Sequence, residues 1–126
     1  MDVINEIQVP ELVLQGRFMR WLVNNDAIKS ENISACVIRV LPGESVLPAH
    51  SHPHSEEFIY IISGSGKVMI EESVSMVEAG SGVLFRKGKV HILKNSGAVE
   101  MKVICFFAPA TSLDNYHIVE GVVFPE

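Results

Sequence analysis

The chain has 126 residues, of which 48% are hydrophobic and 20% are charged, and its formal net charge at pH 7 is −5. This length is enough for one domain with one hydrophobic core, and a second domain is not expected. The acidic balance and the scattered basic residues argue against nucleic acid or an anionic membrane surface as the main partner. No apolar stretch approaches the roughly 18 residues of a membrane span, and no basic segment followed by an apolar leader opens the chain. We therefore expect a cytoplasmic protein.

Short strand-like runs separated by turn residues dominate the chain. Runs rich in β-branched and aromatic residues cover, in chain order, 17–23, 33–41, 57–62, 67–70, 74–77, 82–85, 91–94 and 100–108. Many short strands at this spacing indicate an all-β sandwich or barrel. Residues 1–16 and 109–126 lack a clean period, and we interpret them as an N-terminal arm and a C-terminal tail that pack on the barrel or on a neighbouring subunit.

Four residues of metal-ligand type occur in two stretches of the chain, residues 43–64 and residues 80–95. His50 and His52 are two apart, so in an extended strand their side chains point to the same face. Glu57 opens the strand-like run that follows, and His91 lies in the second stretch. Three imidazoles and one carboxylate suit Fe, Mn, Co, Ni, Cu or Zn and suit Ca or Mg poorly. The sequence therefore predicts one divalent transition-metal ion per chain.

The first stretch, residues 43–64, resembles the first motif of the cupin family. That motif runs glycine, about five residues, His-x-His, three or four residues, glutamate, six residues and glycine. Here six residues separate Gly43 from His50, four separate His52 from Glu57, and six separate Glu57 from Gly64. The leading gap is thus one residue longer than usual, and the other two gaps match.

The second stretch, residues 80–95, is similar to the second cupin motif. That motif runs glycine, five residues, Pro-x-Gly, two residues, histidine, three residues and asparagine, which falls on Gly80, Gly88, His91 and Asn95. Arg86 stands where the family has its proline. The proline shapes a turn and is not a ligand, so the departure concerns the loop and not the metal site.

The resemblance implies an all-β fold of the cupin type, a double-stranded β-helix or jelly-roll barrel, formed by residues 1–126 as one domain. It implies His50, His52, Glu57 and His91 as metal ligands, a small molecule as ligand or substrate, and a homodimer, since cupins are commonly dimeric. Three functions are compatible: an Fe(II) dioxygenase, a Zn, Ni or Mn enzyme that isomerises or opens sugar acids, and a sensing or storage module that catalyses nothing. The His-Ser-His-Pro-His run is also similar to small cupins that linearise unsaturated uronates, which carry glutamine in place of Glu57.

Four further polar residues are interpreted as accessory. His54 lies beyond Pro53, where a solvated or supporting role is favoured over direct ligation. Glu56 is interpreted as a solvated neighbour of Glu57, and His117 in the tail as a surface or interface residue. Asn95 is predicted to support a turn or to orient His91 by a hydrogen bond.

The remaining expectations concern thiols, polar lining and assembly. Cys36 and Cys105 lie in apolar runs without CxxC spacing, which indicates buried reduced thiols. The basic and hydroxyl side chains available to bind an acidic substrate are Arg17, Arg20, Arg39, Tyr60 and Lys102.

If Glu57 faces the barrel interior, alternation leaves three apolar residues of the same strand outside, namely Phe58, Tyr60 and Ile62. An apolar outer face predicts a homodimer interface, unless the arm or the tail covers it.

Overall fold

The computed structural model describes residues 1–125 and consists almost entirely of strands. In chain order they are β1 (Leu12–Leu14), β2 (Arg17–Val23), β3 (Ser34–Val40), β4 (Ala49–Ser51), β5 (Glu56–Ser63), β6 (Ser65–Ile70), β7 (Ser73–Glu78), β8 (Gly82–Phe85), β9 (His91–Lys94), β10 (Met101–Ala108) and β11 (His117–Val119). Two 3-10 turns, Glu6–Gln8 and Leu113–Asn115, complete the described elements. Within residues 1–125 no helix is long and apolar enough to cross a membrane.

The strands form two antiparallel sheets. The order in the first sheet is β1-β2-β3-β10-β5-β8, and the order in the second is β11-β4-β9-β6-β7. This arrangement confirms the prediction of an all-β fold. Each of the eight predicted runs coincides with an observed strand to within two residues at either end.

Three strands were not predicted from the sequence, namely β1, β4 and β11. Each has three residues, which is too short for an alternating pattern to stand out. They are stabilised by pairing with a neighbour instead: β1 pairs with β2, and β11 pairs with β4. The N-terminal arm and the C-terminal tail thus each add an edge strand to a sheet.

The hydrophobic core lies between the two sheets. In β5 the buried residues alternate with exposed ones, so that Glu57, Ile59 and Ile61 point inward as predicted. In β10 the same alternation buries Met101, Val103, Cys105 and Phe107. Cys36 and Cys105 are register partners on β3 and β10, and both are buried free thiols, which confirms that prediction. This core fills the barrel beneath the predicted ligands.

The N-terminal arm crosses the outer face of the first sheet and is held there by charge pairs. Arg39 bonds Glu11 at 2.7 Å, and hydrogen bonds from Arg39 lower the pKa of Glu11 to about 2. Arg20 also contacts Glu11 at 3.2 Å, and Lys102 pairs with Glu6 at 2.9 Å. Arg20, Arg39 and Lys102 are three of the five side chains that the sequence offered for binding an acidic substrate. All three instead lie on the outer surface and pair with the arm.

The other half of this outer face is apolar and uncovered. Its five large residues expose 39 to 44% of their surface, and we call them the apolar strip: Phe58, Tyr60, Ile62, Leu84 and Phe106. The outward direction of the first three confirms the alternation predicted for β5. Since these side chains remain exposed, neither the arm nor the described part of the tail covers them.

Candidate metal centre

The four predicted ligands come together at one end of the barrel. His50 on β4 is the register partner of His91, the first residue of β9, and His52 directly follows β4. Glu57 belongs to β5 in the opposite sheet. One ligand atom from each residue lies within 4.8 Å of all the others, and all four residues are buried. Both sheets therefore contribute to the cluster.

A tight turn before β9 positions His91. The amide of Lys89 donates to the carbonyl of Arg86 at 3.2 Å, and Gly88 has a φ of +74°, which favours glycine. The amide of Gly88 also donates to the carbonyl of His52 at 3.1 Å, which links the two ligand-bearing loops. The turn thus forms with Arg86 in the position where cupins usually have proline.

Two of the imidazole rings are oriented by the backbone. Nδ1 of His50 lies 3.0 Å from the carbonyl oxygen of Pro48, and Nδ1 of His91 lies 3.0 Å from that of Lys89. When Nδ1 carries the proton and donates to these carbonyls, Nε2 keeps a lone pair for a metal. The ring of Phe85 stacks on His91 with centroids 3.8 Å apart, which further fixes that ring.

The donor atoms have the spacing that a metal ion requires. Oε1 of Glu57 is 3.0 Å from Nε2 of His52 and 3.2 Å from Nε2 of His91. Donors bonded at about 2.1 Å and at right angles around one ion are about 3 Å apart. Nε2 of His91 and Nδ1 of His52 are buried, and neither has an aligned hydrogen-bond partner in residues 1–125. The residues present therefore fit a divalent transition metal.

The electrostatics of the cluster favour the protonation states that bind metal. Burial, together with the neighbouring His91, lowers the pKa of His50 to about 3, so the ring is neutral at pH 7. Burial opposes ionisation of Glu57, but the neighbouring imidazoles of His52, at 3.0 Å, and His91, at 3.2 Å, outweigh it and hold its pKa well below the usual range. Neutral imidazole and ionised carboxylate are the metal-binding forms.

A small cavity of about 30 Å³ adjoins the cluster. Its walls are mostly apolar and consist of Ile38, Val46, His50, Glu57, Ile59, Phe85, His91, Leu93 and Cys105. A hydrogen bond with Cys36, together with burial, raises the pKa of the Cys105 thiol, so this group stays protonated. The cavity has room for about one water molecule.

The accessory residues lie mostly outside the cluster. His54 and Glu56 are exposed, and the Glu56 carboxylate is 3.9 Å from Arg86, so both agree with the solvated interpretation. His117 is exposed on β11. Asn95 is fully buried and forms hydrogen bonds with backbone groups around the turn after β9. This arrangement agrees with the first predicted role, support of a turn.

Sequence reasoning missed Tyr116. Its ring stacks on His50 with centroids 4.8 Å apart and planes at 14°, and it meets the ring of His52 edge-on at 4.3 Å. It also lies 6.3 Å from Phe107. Burial and the charge of Glu57 raise its pKa well above the ordinary value for tyrosine. The available signal was an aromatic residue next to His117 in the polar stretch of residues 114–117.

The comparisons with known proteins agree with this geometry. The chain matches the cupin domain family over residues 36–107, which includes all four residues of the cluster. The protein belongs to the cupin family, and its two-sheet barrel is the double-stranded β-helix of that family.

Two relatives and one solved structure are informative. SchB of Streptomyces halstedii is 34% identical over 70 residues, which cover 56% of this chain and 50% of SchB. The tetracenomycin polyketide synthase protein TcmJ of Streptomyces glaucescens is 28% identical over 95 residues, covering 75% of this chain and 63% of TcmJ. The chain thus spans about half to two-thirds of these relatives. The polyketide cyclase RemF of Streptomyces resistomycificus has the same fold, with a TM-score of 0.75, 17% identity, and coverage of 94% of this chain and 85% of RemF.

Proposed function

We propose that the protein binds one divalent transition-metal ion through His50, His52, Glu57 and His91 and acts as a metal-dependent enzyme on a small planar oxygenated molecule. The observation that carries the proposal is the buried convergence of three imidazoles and one carboxylate from both sheets. Three neutral ligands and one anion leave such an ion with a net positive charge and room for further ligands, which supplies Lewis-acid or oxygen chemistry when the metal is bound.

The lining of the cavity favours a planar substrate over a sugar acid. A sugar acid presents many hydroxyl groups, and each needs a partner when it is buried. The walls offer mainly apolar side chains, including Ile59, Phe85 and Leu93. A flat molecule with enol, phenol or carboxylate oxygens leaves fewer polar atoms unpaired. An aromatic polyketide is the most specific form of this proposal, because the relative TcmJ is a polyketide synthase protein.

The chain's own residues supply a dry and rigid surrounding for this chemistry. Phe85 holds the ring of His91, and Phe107 packs edge-on against His52 at 5.0 Å, so that both exclude bulk water. Pro48 and Lys89 fix the tautomers of two ligands through their carbonyl groups. The result is a set of donors that needs little reorganisation on binding.

A second candidate function is a binding module without catalysis. The cavity wall holds no titratable side chain besides three of the ligands and Cys105, whose thiol stays protonated. No described residue of the wall is therefore free to act as a separate general base, which favours a sensing or storage role.

Metal content tests the proposal directly. We expect the wild-type protein, purified without chelator or nickel resin, to hold about one equivalent of a transition metal and the His50→Ala/His91→Ala variant to hold none. If the bound metal is iron, the next assay is oxygen uptake with catechols, thiols and diketones. If it is zinc, nickel or manganese, the next assays are for isomerase and lyase activity. No metal in the wild type after reconstitution would overturn the proposal, and metal with tight ligand binding but no turnover would favour the binding module.

We further propose that the apolar strip pairs two copies of the chain in a homodimer. Five contiguous large apolar residues on one sheet face are typical of an interface. We expect light scattering to give twice the chain mass of 13.9 kDa and Tyr60→Glu to give the monomer, because a buried unpaired carboxylate opposes association. The control is Met76→Glu, an exposed apolar residue on the other sheet. A monomeric wild type, or equal effects of both variants, would contradict the proposal.

A further inference from the structure

The three histidines of the cluster are not all held in the same way. In His50 and His91, Nδ1 lies 3.0 Å from a backbone carbonyl oxygen, which fixes the orientation of each ring. In His52, by contrast, Nδ1 is buried and has no hydrogen-bond partner in residues 1–125. The histidines that bind metal ions are usually oriented by a hydrogen bond from their second ring nitrogen. His52 therefore needs another kind of support.

Aromatic rings provide a second support for the two histidines that have a backbone partner. Phe85 stacks on His91 with centroids 3.8 Å apart and planes at 5°. Tyr116 stacks on His50 with centroids 4.8 Å apart and planes at 14°. A ring packed flat on an imidazole restricts the rotation of that imidazole. Tyr116 thus supports His50 from the tail as Phe85 supports His91 from the barrel.

The same tyrosine is also the nearest aromatic ring to His52. The centroids of Tyr116 and His52 are 4.3 Å apart, with planes at 85°, and Phe107 follows at 5.0 Å with planes at 72°. Edge-to-face contacts of this kind are favourable and directional. His52 therefore lies between two aromatic rings, which replace the carbonyl partner that the other two histidines have.

Strand pairing in the tail determines where Tyr116 lies. Ile118 of β11 is the register partner of His50 on β4, and the two strands are antiparallel. Tyr116 precedes Ile118 by two residues and His52 follows its partner by two, so the same register places them opposite each other on one face. Tyr116 also packs on the main hydrophobic core of the barrel. Its position is thus fixed by pairing and by core contacts together.

We propose that Tyr116 is a positioning residue of the metal centre: its ring holds the imidazoles of His50 and His52, which makes the C-terminal tail part of the site. The inference rests on the proposed metal site, because the two histidines are ligands only if an ion binds there. The contacts belong to the ring, so phenylalanine can replace tyrosine at this position.

The test measures the cobalt(II) affinity of the full chain by competition with a chromophoric chelator. The visible absorption spectrum of the bound cobalt(II) reports the geometry of its ligands. We expect Tyr116→Ala to bind cobalt(II) about tenfold more weakly and to change this spectrum, because loss of a group that orients a metal ligand costs about 10- to 100-fold in affinity. Tyr116→Phe keeps the ring and is expected to match the wild type in both measurements.

Two further variants separate ring positioning from folding. Tyr116→Leu keeps apolar volume against the core without a flat ring, and it is expected to behave as Tyr116→Ala does. The matched control is Phe124→Ala, which removes another aromatic ring of the tail. Phe124 packs beside Ala49 and Ile92, the chain neighbours of two ligands, and therefore on the opposite face of the second sheet. We expect this control to keep the affinity and the spectrum of the wild type.

The outcomes of these measurements are distinct. Wild-type affinity and spectrum in Tyr116→Ala would overturn the inference. A loss in Tyr116→Phe as large as in Tyr116→Ala would also overturn it, because the phenol oxygen would then be the active group. An equal loss in Phe124→Ala would overturn it as well, because general attachment of the tail would then set the affinity. Melting curves show that each variant is folded.

Nuclear magnetic resonance of the metal-free chain supplies a readout that needs no ion. We expect the ring signals of His52 to broaden or split in Tyr116→Ala, because the ring loses its nearest aromatic contact and has no backbone partner. The ring signals of His91, which Phe85 holds, are expected to stay sharp. Sharp His52 signals in Tyr116→Ala would overturn the inference. A wild type that binds no cobalt(II) would instead overturn the proposed metal site, and the ring signals would still decide the role of Tyr116.

Discussion

His52→Ala is expected to lower the affinity for a transition metal by more than about 100-fold, while His54→Ala leaves it unchanged, because loss of a ligand costs more than loss of a residue that only orients one. The two histidines are two residues apart in the same short run, yet one is buried in the cluster and the other is exposed. Removal of the His52 ring also takes away the group that lies 3.0 Å from the Glu57 carboxylate. Competition with a chromophoric chelator, together with elemental analysis, measures both variants.

The pair of variants decides which histidines hold the ion. Equal metal affinity of His52→Ala and the wild type would contradict the four-residue assignment. A loss in His54→Ala would instead mean that the loop after Pro53 folds back onto the site when the metal is present. Circular dichroism spectra of the metal-free variants serve as the control for folding, because the His52 ring also packs against the core residue Phe107.

Asn95→Ala is expected to lower the free energy of unfolding by about 3 kcal/mol, because it leaves the buried carbonyl of Val40 and the partly buried carbonyl of Val99 without a donor, and an unpaired buried group costs about 1–3 kcal/mol. Nδ2 of Asn95 donates to the carbonyls of Val40 and Val99, both at 2.8 Å, and Oδ1 accepts from the amide of Gly97 at 2.9 Å. The side chain thus ties the turn after β9 to the end of β3. Urea denaturation of the metal-free protein measures the change.

Two further variants define the origin of this effect. Asn95→Asp keeps the acceptor for Gly97 and removes both donors, so most of the loss is expected to remain. Asn25→Ala, at an exposed loop position, is expected to stay within about 0.5 kcal/mol of the wild type. A change below about 1 kcal/mol in Asn95→Ala would mean that water replaces the lost donors at little cost.

The parts of this molecule that sequence predicted are those controlled by local spacing. Alternation within β5 determines that Glu57 points inward and Tyr60 outward, because neighbouring side chains of a strand face opposite sides. The histidine spacings likewise depend on short loops whose glycines fix the turns, as Gly88 does. These features need no knowledge of distant pairing.

The parts that sequence could not predict depend on pairing between distant segments. Tyr116 reaches the site only because β11 pairs with β4, and three-residue strands carry no readable pattern. The direction of Arg17 was ambiguous for another reason. Both faces of β2 combine an arginine with apolar residues, so the outer Arg20 and the inner Arg17 look equivalent until the acidic arm is seen to cross the outer face.

The cluster also joins the two halves of the barrel, since three of its residues belong to or flank the second sheet and Glu57 belongs to the first. With a bound ion, this end of the barrel would be clamped, and the ion could leave only when the two sheets part locally. Without a bound ion, the same end contains buried polar groups in place of apolar contacts, and it is expected to be the least stable end of the barrel. Loss of the metal and local opening of the barrel would then be one event. The lifetime of the metal-bound protein would therefore be governed by the rate of local opening and not by ligand exchange alone.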